Sequence, residues 1–345
     1  MSRGGAVTIE EVVDWVDAWR GRLLSIRPLP NGLTNTNYRV DVDGRAFVVR
    51  IPGASTELLA IDRANELHNA RIAAALGVGP AVLHHFPAGG ATVIEFLEGR
   101  PMTSDTLRAP GMPARIAATL RQLHGGPRFL RDFDMLALAD RYRALAERRG
   151  FPAPSGYGGR RAAIRAIAAA LAASPLPAVP CHNDLLPDNY IEQAGRLRLV
   201  DWEYSGNGDP AFELGNTCRE LDYDGGRVEE LCQAYFGGAP ASLVARVMLH
   251  TIASDVGWAF WAVIQTAISR IAFDFAAYGA NRWRRAETAM DSPDFPRWIE
   301  AAARPGCGRI PVTPGPVRTL DNVTTPTHRR PSPPGPASEP EEGHA

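Results

Sequence analysis

Residues 181–190 read CHNDLLPDNY, and LVDWEY follows at 199–204. His182, Asp184 and Asn189 stand in an H-x-D-x-x-x-x-N spacing, and Asp201 closes the strand-like run Leu197-Arg198-Leu199-Val200. Phosphoryl transfer from a nucleotide needs such a set: a carboxylate to take the hydroxyl proton, oxygen donors for Mg²⁺, and rigid backbone to hold them. Asp184 is read as the general base, a role worth about 10² to 10⁴ in rate. Asn189 and Asp201 are read as the metal ligands, because Mg²⁺ is hard and takes one or two protein oxygens beside phosphate and water. Turn chemistry is the plain alternative for each residue alone. The three in this order favour catalysis. His182 is expected to brace the loop, and Glu203 to face either metal or substrate.

The phosphates of ATP also need a cation. All 37 basic side chains are Arg, so that cation must be an Arg. Arg50 ends the run Ala46-Phe47-Val48-Val49-Arg50, where it could reach the phosphates, and Glu66 on the next helix could orient it through a bidentate pair. The segment NGLTNTNY, 31–38, is expected to lie over the phosphates. There Gly32 would allow close approach, with Thr34 and Asn35 as donors. Neither G-x-x-x-x-G-K-[ST] nor G-x-G-x-x-G occurs.

These groups must be positioned by two kinds of structure. Residues 8–20 have helical spacing. Strands are predicted at 23–30, 38–42 and 46–51, with Asp43-Gly44 as a tight hairpin. A helix capped by Ser55 and stopped by Gly77 follows, then strands at 81–86 and 92–96. Beyond the connector Glu98-Gly99-Arg100-Pro101, helices are predicted at 111–124, 134–149, 160–173, 211–221, 225–236, 240–277 with a break, and 280–290. The expected fold is α+β and bilobal. Residues 1–98 form a small antiparallel-sheet lobe covering the nucleotide. Residues 99–304 form a larger, mainly helical lobe for catalysis and substrate. The Pro-rich stretch 305–345 is expected to be disordered.

Composition sets limits. A net charge of −1 leaves no global field for nucleic acid, and a 45% hydrophobic content supplies a core. Cys181, Cys218, Cys232 and Cys307 show no C-x-x-C spacing, so a reducing cytoplasm fits. The apolar run Val256 to Ile268 is too short for a bilayer, and no membrane insertion is expected. Oligomeric state is not readable.

Aromatic residues recur near carboxylates. Trp258 and Trp261 are three apart, on one helical face. Tyr204 follows the acidic cluster, Tyr223 follows Glu220, and Tyr278 follows FDFAA. Such rings can box an ammonium group, each face contributing roughly 0.5 to 2 kcal/mol. They can equally be ordinary core.

The chain resembles the choline/ethanolamine kinase family, especially its bacterial branch, within the kinase-like fold shared with aminoglycoside phosphotransferases. The matching pieces are GLTNTNYRV, FVVRIPG, NELHNA, IEFLEGRPM, CHNDLLPDNY, LVDWEYSGNGDPAFELGN and WAFWAVIQTAISRIAFDFAAYGANR, in family order over about residues 20–285. The resemblance implies ATP-dependent phosphorylation of choline or a similar amino alcohol, with Asp184 as base and Asn189 and Asp201 on magnesium. It supports Arg at position 50 and counts Glu95, inside IEFLEGRPM, with the nucleotide-binding residues. It implies an acceptor box walled by Tyr204, Trp258, Trp261 and Tyr278, with Glu220 near the substrate amine; Glu203 is counted with the substrate residues. Residues 124–180 and the Pro-rich stretch depart from the family pattern. The competing readings are a kinase of another cationic alcohol, such as an aminoglycoside or thiamine, a non-catalytic ATP-binding module, and a metal-dependent hydrolase using His182, Asp184 and Asp201.

Overall fold

The computed structural model describes residues 7–304 other than Asn31, Ala54, Ser55 and Ala88. Thr8 and Glu11 form a reciprocal capping box at the start of α1, Ile9–Trp15, and a 3₁₀ turn at Asp17–Trp19 follows. Alternating apolar residues then build β1, Leu24–Leu29, β2, Asn35–Val42, and β3, Arg45–Pro52. Asp43 and Gly44 turn the β2–β3 hairpin with both φ angles positive, at 48° and 76°. Helix α2, Arg63–Ala75, is capped by Asp62, whose side chain accepts from Ala64 N and Asn65 N. This corrects the expected helix start: Leu58 lies in a separate 3₁₀ turn, Thr56–Leu59, and Ser55 lies outside the described residues. Strands β4, Val82–Phe86, and β5, Ala91–Glu95, complete an antiparallel sheet in the order β1-β2-β3-β5-β4. Val12, Trp19, Val40, Val49 and Val93 form its core against α1.

The connector is itself a strand, β6, Arg100–Pro101. After the short α3, Ser104–Leu107, come α4, Met112–His124, α5, Met135–Arg149, and α6, Tyr157–Ala173. The stretch 124–180 is thus mostly two helices of the second lobe. The catalytic-looking segments sit on small sheets: β7, Val179–Cys181, β8, Tyr190–Gln193, β9, Arg196–Leu199, and β10, Gly206–Gly208. β6 pairs with β8, β8 with β9, and β7 with β10.

Helices α7, Pro210–Glu220, α8, Gly225–Phe236, α9, Ala241–Ile268, α10, Phe275–Met290, and α11, Phe295–Ala303, finish the lobe. Two corrections arise here. The expected break within 240–277 is the end of α9, and Asp274 caps a new helix that runs on through 280–290. Helix α11 was not anticipated, because Pro296 and its short length mask its period. Helix α9 has 28 residues, and by length and composition it could cross a membrane. Its most apolar window is 89% buried inside the lobe, which makes it the core helix against which α5, α7, α10 and α11 pack. Residues 305–345 lie outside the described residues, so the expectation of disorder there is untouched.

Candidate active site

Three of the polar residues converge through backbone that only tertiary contacts hold. His182 is fully buried. Its Nε2 lies 2.8 Å from Val200 O, and Asp184 N donates to its Nδ1 at 3.3 Å. These partners assign the neutral tautomer with the proton on Nε2, and burial lowers its pKa. His182 therefore ties the loop carrying Asp184 to the strand end carrying Asp201, the brace expected of it. Asn189 Nδ2 donates to Asp184 O at 2.7 Å, which closes the loop on itself. Asn183 and Asp201 both sit at φ 70°. Such left-handed backbone is uncommon outside glycine and persists where surrounding contacts over-determine it.

For Asn183 those contacts come chiefly from Glu213 on α7. Its carboxylate accepts from His182 N at 2.8 Å and from Asn183 N at 2.8 Å, and His124 Nε2 lies 2.6 Å away. His124 Nδ1 is 2.6 Å from the Tyr235 hydroxyl. His124, Cys181 and Glu213 come close enough to suggest a metal. Both imidazole nitrogens already have protein partners, so the cluster is a hydrogen-bonded strut. One turn along, Asn216 Oδ1 accepts from Leu185 N at 2.9 Å. Neither Glu213 nor Asn216 was singled out from the sequence, although both lie in the run LVDWEYSGNGDPAFELGN. A carboxylate and an amide at i, i+3 behind a catalytic loop were the available signal.

Arg50 meets two carboxylates with one nitrogen. Its NH2 donates to Asp201 Oδ1 at 2.8 Å and to Glu66 Oε1 at 3.1 Å. The expected bidentate Arg50–Glu66 pair is not formed, because Asp201 claims the same nitrogen. Burial opposes both charges, yet mutual attraction outweighs it: Arg50 is raised and Asp201 is lowered from their ordinary pKa values. Breaking a buried pair from one side leaves its partner uncompensated. Arg50→Met is therefore expected to cost about 3 kcal/mol, read as a lower urea midpoint at unchanged slope. An unchanged midpoint would show that Glu66 and Asp201 find other partners.

The 31–38 segment departs from expectation. Thr34 Oγ1 donates to Glu203 Oε1 at 2.6 Å and Asn35 Nδ2 to Glu203 Oε2 at 2.9 Å. Gln265 Nε2 also donates to Leu33 O at 3.3 Å. The donors are thus spent on the second lobe. Gly32 is required by the tightness of this fold, since a Cβ there would lie 2.1 Å from Asn35 O. Arg63 reaches Glu203 at 3.3 Å and Glu66 at 2.6 Å. Burial beside Asp201 and Glu66 still pushes Glu203 up to about 7. Glu95 anchors the sheet, its Oε2 accepting from Ala81 N at 3.1 Å. It also lines a cleft of about 310 Å³ shared by Arg50, Leu97, Asn189 and Asp201.

The aromatic residues do assemble. Tyr204 and Trp258 have ring centroids 5.0 Å apart, Trp258 and Trp261 5.9 Å, and Trp261 and Tyr278 6.0 Å. Trp261 Nε1 donates to the Tyr204 hydroxyl at 2.8 Å. Tyr223 is not among them: it packs with the α4–α8 core and donates to Leu107 O. Glu220 is not a free acid, because buried Arg282 donates to it. Burial, Asp201, Glu220 and Glu203 together raise Asp184 well above the carboxylate range, with Arg282 opposing. The carboxyl at 184 thus senses both the Asp201 side and the aromatic side of the site.

A model of the phosphotransferase enzyme family matches residues 25–246. Rat ethanolamine kinase 2 is 29% identical over 297 residues, spanning 77% of this chain and 76% of its own. A choline/ethanolamine kinase family protein from Mesorhizobium loti superposes with TM-score 0.74 at 35% identity, covering 84% of this chain and 95% of its own. Choline kinase LicA from Streptococcus pneumoniae gives 0.71 at 25% identity, over 81% and 98%. The two-lobed layout, with a five-stranded antiparallel sheet over a helical lobe, is the fold these proteins share. The chain belongs to the phosphotransferase enzyme family and, within it, to the choline/ethanolamine kinases, which direct phosphoryl transfer to a small-molecule alcohol.

Proposed function

We propose that this protein transfers the γ-phosphoryl group of ATP to the hydroxyl of choline, ethanolamine or a close amino alcohol. The observation that carries the reading is the contiguous ring cluster of Tyr204, Trp258, Trp261 and Tyr278, whose chemistry suits an ammonium group. The nucleotide-covering lobe ends near residue 98, and the catalytic and substrate lobe runs to 304. Three buried free thiols, Cys181, Cys218 and Cys232, suit a reducing cytoplasm.

Asp184 accepts the acceptor's hydroxyl proton on its carboxylate and aligns the oxygen for attack. Asn189 and Asp201 are the residues that would hold Mg²⁺. The donor set fits a hard cation: Asn189 spends its amide nitrogen on Asp184 O, and an amide oxygen and a carboxylate are both oxygen ligands. When bound, magnesium neutralises charge on the transferring phosphates. Arg50, steadied by Glu66, binds phosphate oxygens, while Gly32, Thr34, Asn35 and Glu95 border the nucleotide. Glu203 and Glu220 supply the negative field of the acceptor pocket, although each is partnered by an Arg.

The test is ADP release from Mg-ATP with choline, ethanolamine, thiamine and an aminoglycoside panel. Turnover on choline or ethanolamine is expected, and Trp258→Ala or Trp261→Ala should raise KM for it about tenfold, near 1.4 kcal/mol. Turnover confined to thiamine or aminoglycosides would overturn the assignment. That second reading has its own support: a groove of about 540 Å³ beside Glu203 and Tyr204 carries Glu57, Asp62, Asp132 and Asp134 against Arg131 and Arg141, room and a negative balance for a larger cation.

A further inference from the structure

A buried ion cluster lies behind the aromatic walls. Asp255 on α9 is fully buried, one helical turn before Trp258. Arg219 Nε lies 2.7 Å from its carboxylate, Arg282 NH1 3.1 Å and Arg285 Nε 3.6 Å. Of the three, only Arg282 has hydrogen-bond geometry toward Asp255.

Arg282 uses its whole guanidinium. NH2 donates to Glu220, NH1 to Asp255, and Nε to the Tyr278 hydroxyl at 3.0 Å. Its Cζ also stands 5.0 Å from the Tyr278 ring centroid. Arg282 therefore fixes Glu220 and Tyr278 relative to each other, and both are acceptor-pocket residues in the reading above. Asp255 in turn fixes Arg282. Without the Asp255 charge, Arg219, Arg282 and Arg285 would face one another across a buried space. Arg282 would then be balanced by Glu220 alone, and the carboxylate field available to a cationic substrate would fall.

We propose that Asp255 is a positioning residue for the acceptor pocket: by holding Arg282, it sets how much of the Glu220 charge and which face of Tyr278 the substrate ammonium meets. The proposal rests on the amino-alcohol reading. Its bland rival is a strut that merely pins α7, α9 and α10 together, and the two differ in what they do to the two substrates. A strut loosens the whole lobe. A positioning residue acts on the acceptor and spares the nucleotide.

The experiment compares wild type, Asp255→Asn, Arg282→Gln and the double variant. It measures kcat, KM for choline and ethanolamine, KM for ATP, and the melting midpoint. Asp255→Asn is expected to raise acceptor KM about tenfold or more, leaving kcat and ATP KM within about threefold. Because Asp255 acts through Arg282, adding Asp255→Asn to Arg282→Gln should change acceptor KM by less than about threefold. Equal rises in both KM values, or independent effects in the double variant, would overturn the proposal. If the proteins carrying Asp255→Asn do not fold, Arg285→Gln at the more exposed edge serves instead. Removing that positive charge should lower acceptor KM, and an unchanged or higher value counts against the idea. Wild-type silence on both alcohols would overturn the functional reading and this proposal with it. Wild-type turnover with an unaltered Asp255→Asn acceptor KM would overturn the proposal alone.

Discussion

Asp184→Asn is expected to lower kcat by about 10² to 10⁴ and, at neutral pH and above, to raise the melting midpoint. The first effect is loss of the proton acceptor. The second follows from linkage. Burial and the neighbouring charges of Asp201, Glu220 and Glu203 raise the Asp184 pKa in the folded protein. A carboxyl raised on folding binds its proton more tightly in the native state, so its contribution is fully present below the unfolded pKa. It is lost as pH rises through the folded value. Asn keeps the shape without the charge, so the gain in midpoint should be larger at pH 8 than at pH 5. The same shift places the acid limb of kcat/KM in the wild type above the ordinary carboxylate range. ADP release across pH, with melting curves at both pH values, checks all three statements. An active variant would remove Asp184 as base, and an inactive one that is no more stable at pH 8 would contradict the burial account.

Glu213→Ala is expected to have the largest effect on stability. The carboxylate is fully buried and takes two backbone N–H groups and the His124 imidazole. Each buried donor left without a partner costs about 1 to 3 kcal/mol. Three of them amount to roughly 3 to 9 kcal/mol, against a typical total of about 5 to 15. The variant should lose most of its urea resistance or fail to accumulate in soluble form. Glu213→Gln keeps one acceptor oxygen and the shape. It should fold and hold Asn183 at positive φ, because Oε1 alone accepts from both His182 N and Asn183 N, and lose only the contact of Oε2 with His124. A Glu213→Ala protein with a wild-type urea midpoint would show that the loop is held by other contacts.

The proximity of the candidate polar set was legible in the sequence because the set is local. His182, Asp184 and Asn189 fall within one loop, and Asp201 lies just past the β8–β9 hairpin, so spacing alone brings them near one another. Strand alternation and the Asp43-Gly44 turn likewise marked the sheet, since side-chain period and turn chemistry are properties of neighbouring residues. The Trp258–Trp261 pairing followed from helical spacing.

Where the reading and the structure part, the missing quantity is long-range distance. Thr34 and Asn35 are 169 and 168 positions from Glu203, and no local pattern says that their donors turn to it. Nothing local to Glu220 says that it is partnered by Arg282, 62 residues later. Arg50 divides one nitrogen between Glu66, the expected partner, and Asp201, 151 residues away, which no local pattern announces. Residue type and spacing by themselves determined which groups could do phosphoryl transfer and roughly which elements carry them. Only the tertiary structure decided which charges are spent on one another and which backbone is held left-handed. Electrostatic energy depends on separation and burial, and both are properties of the packed chain.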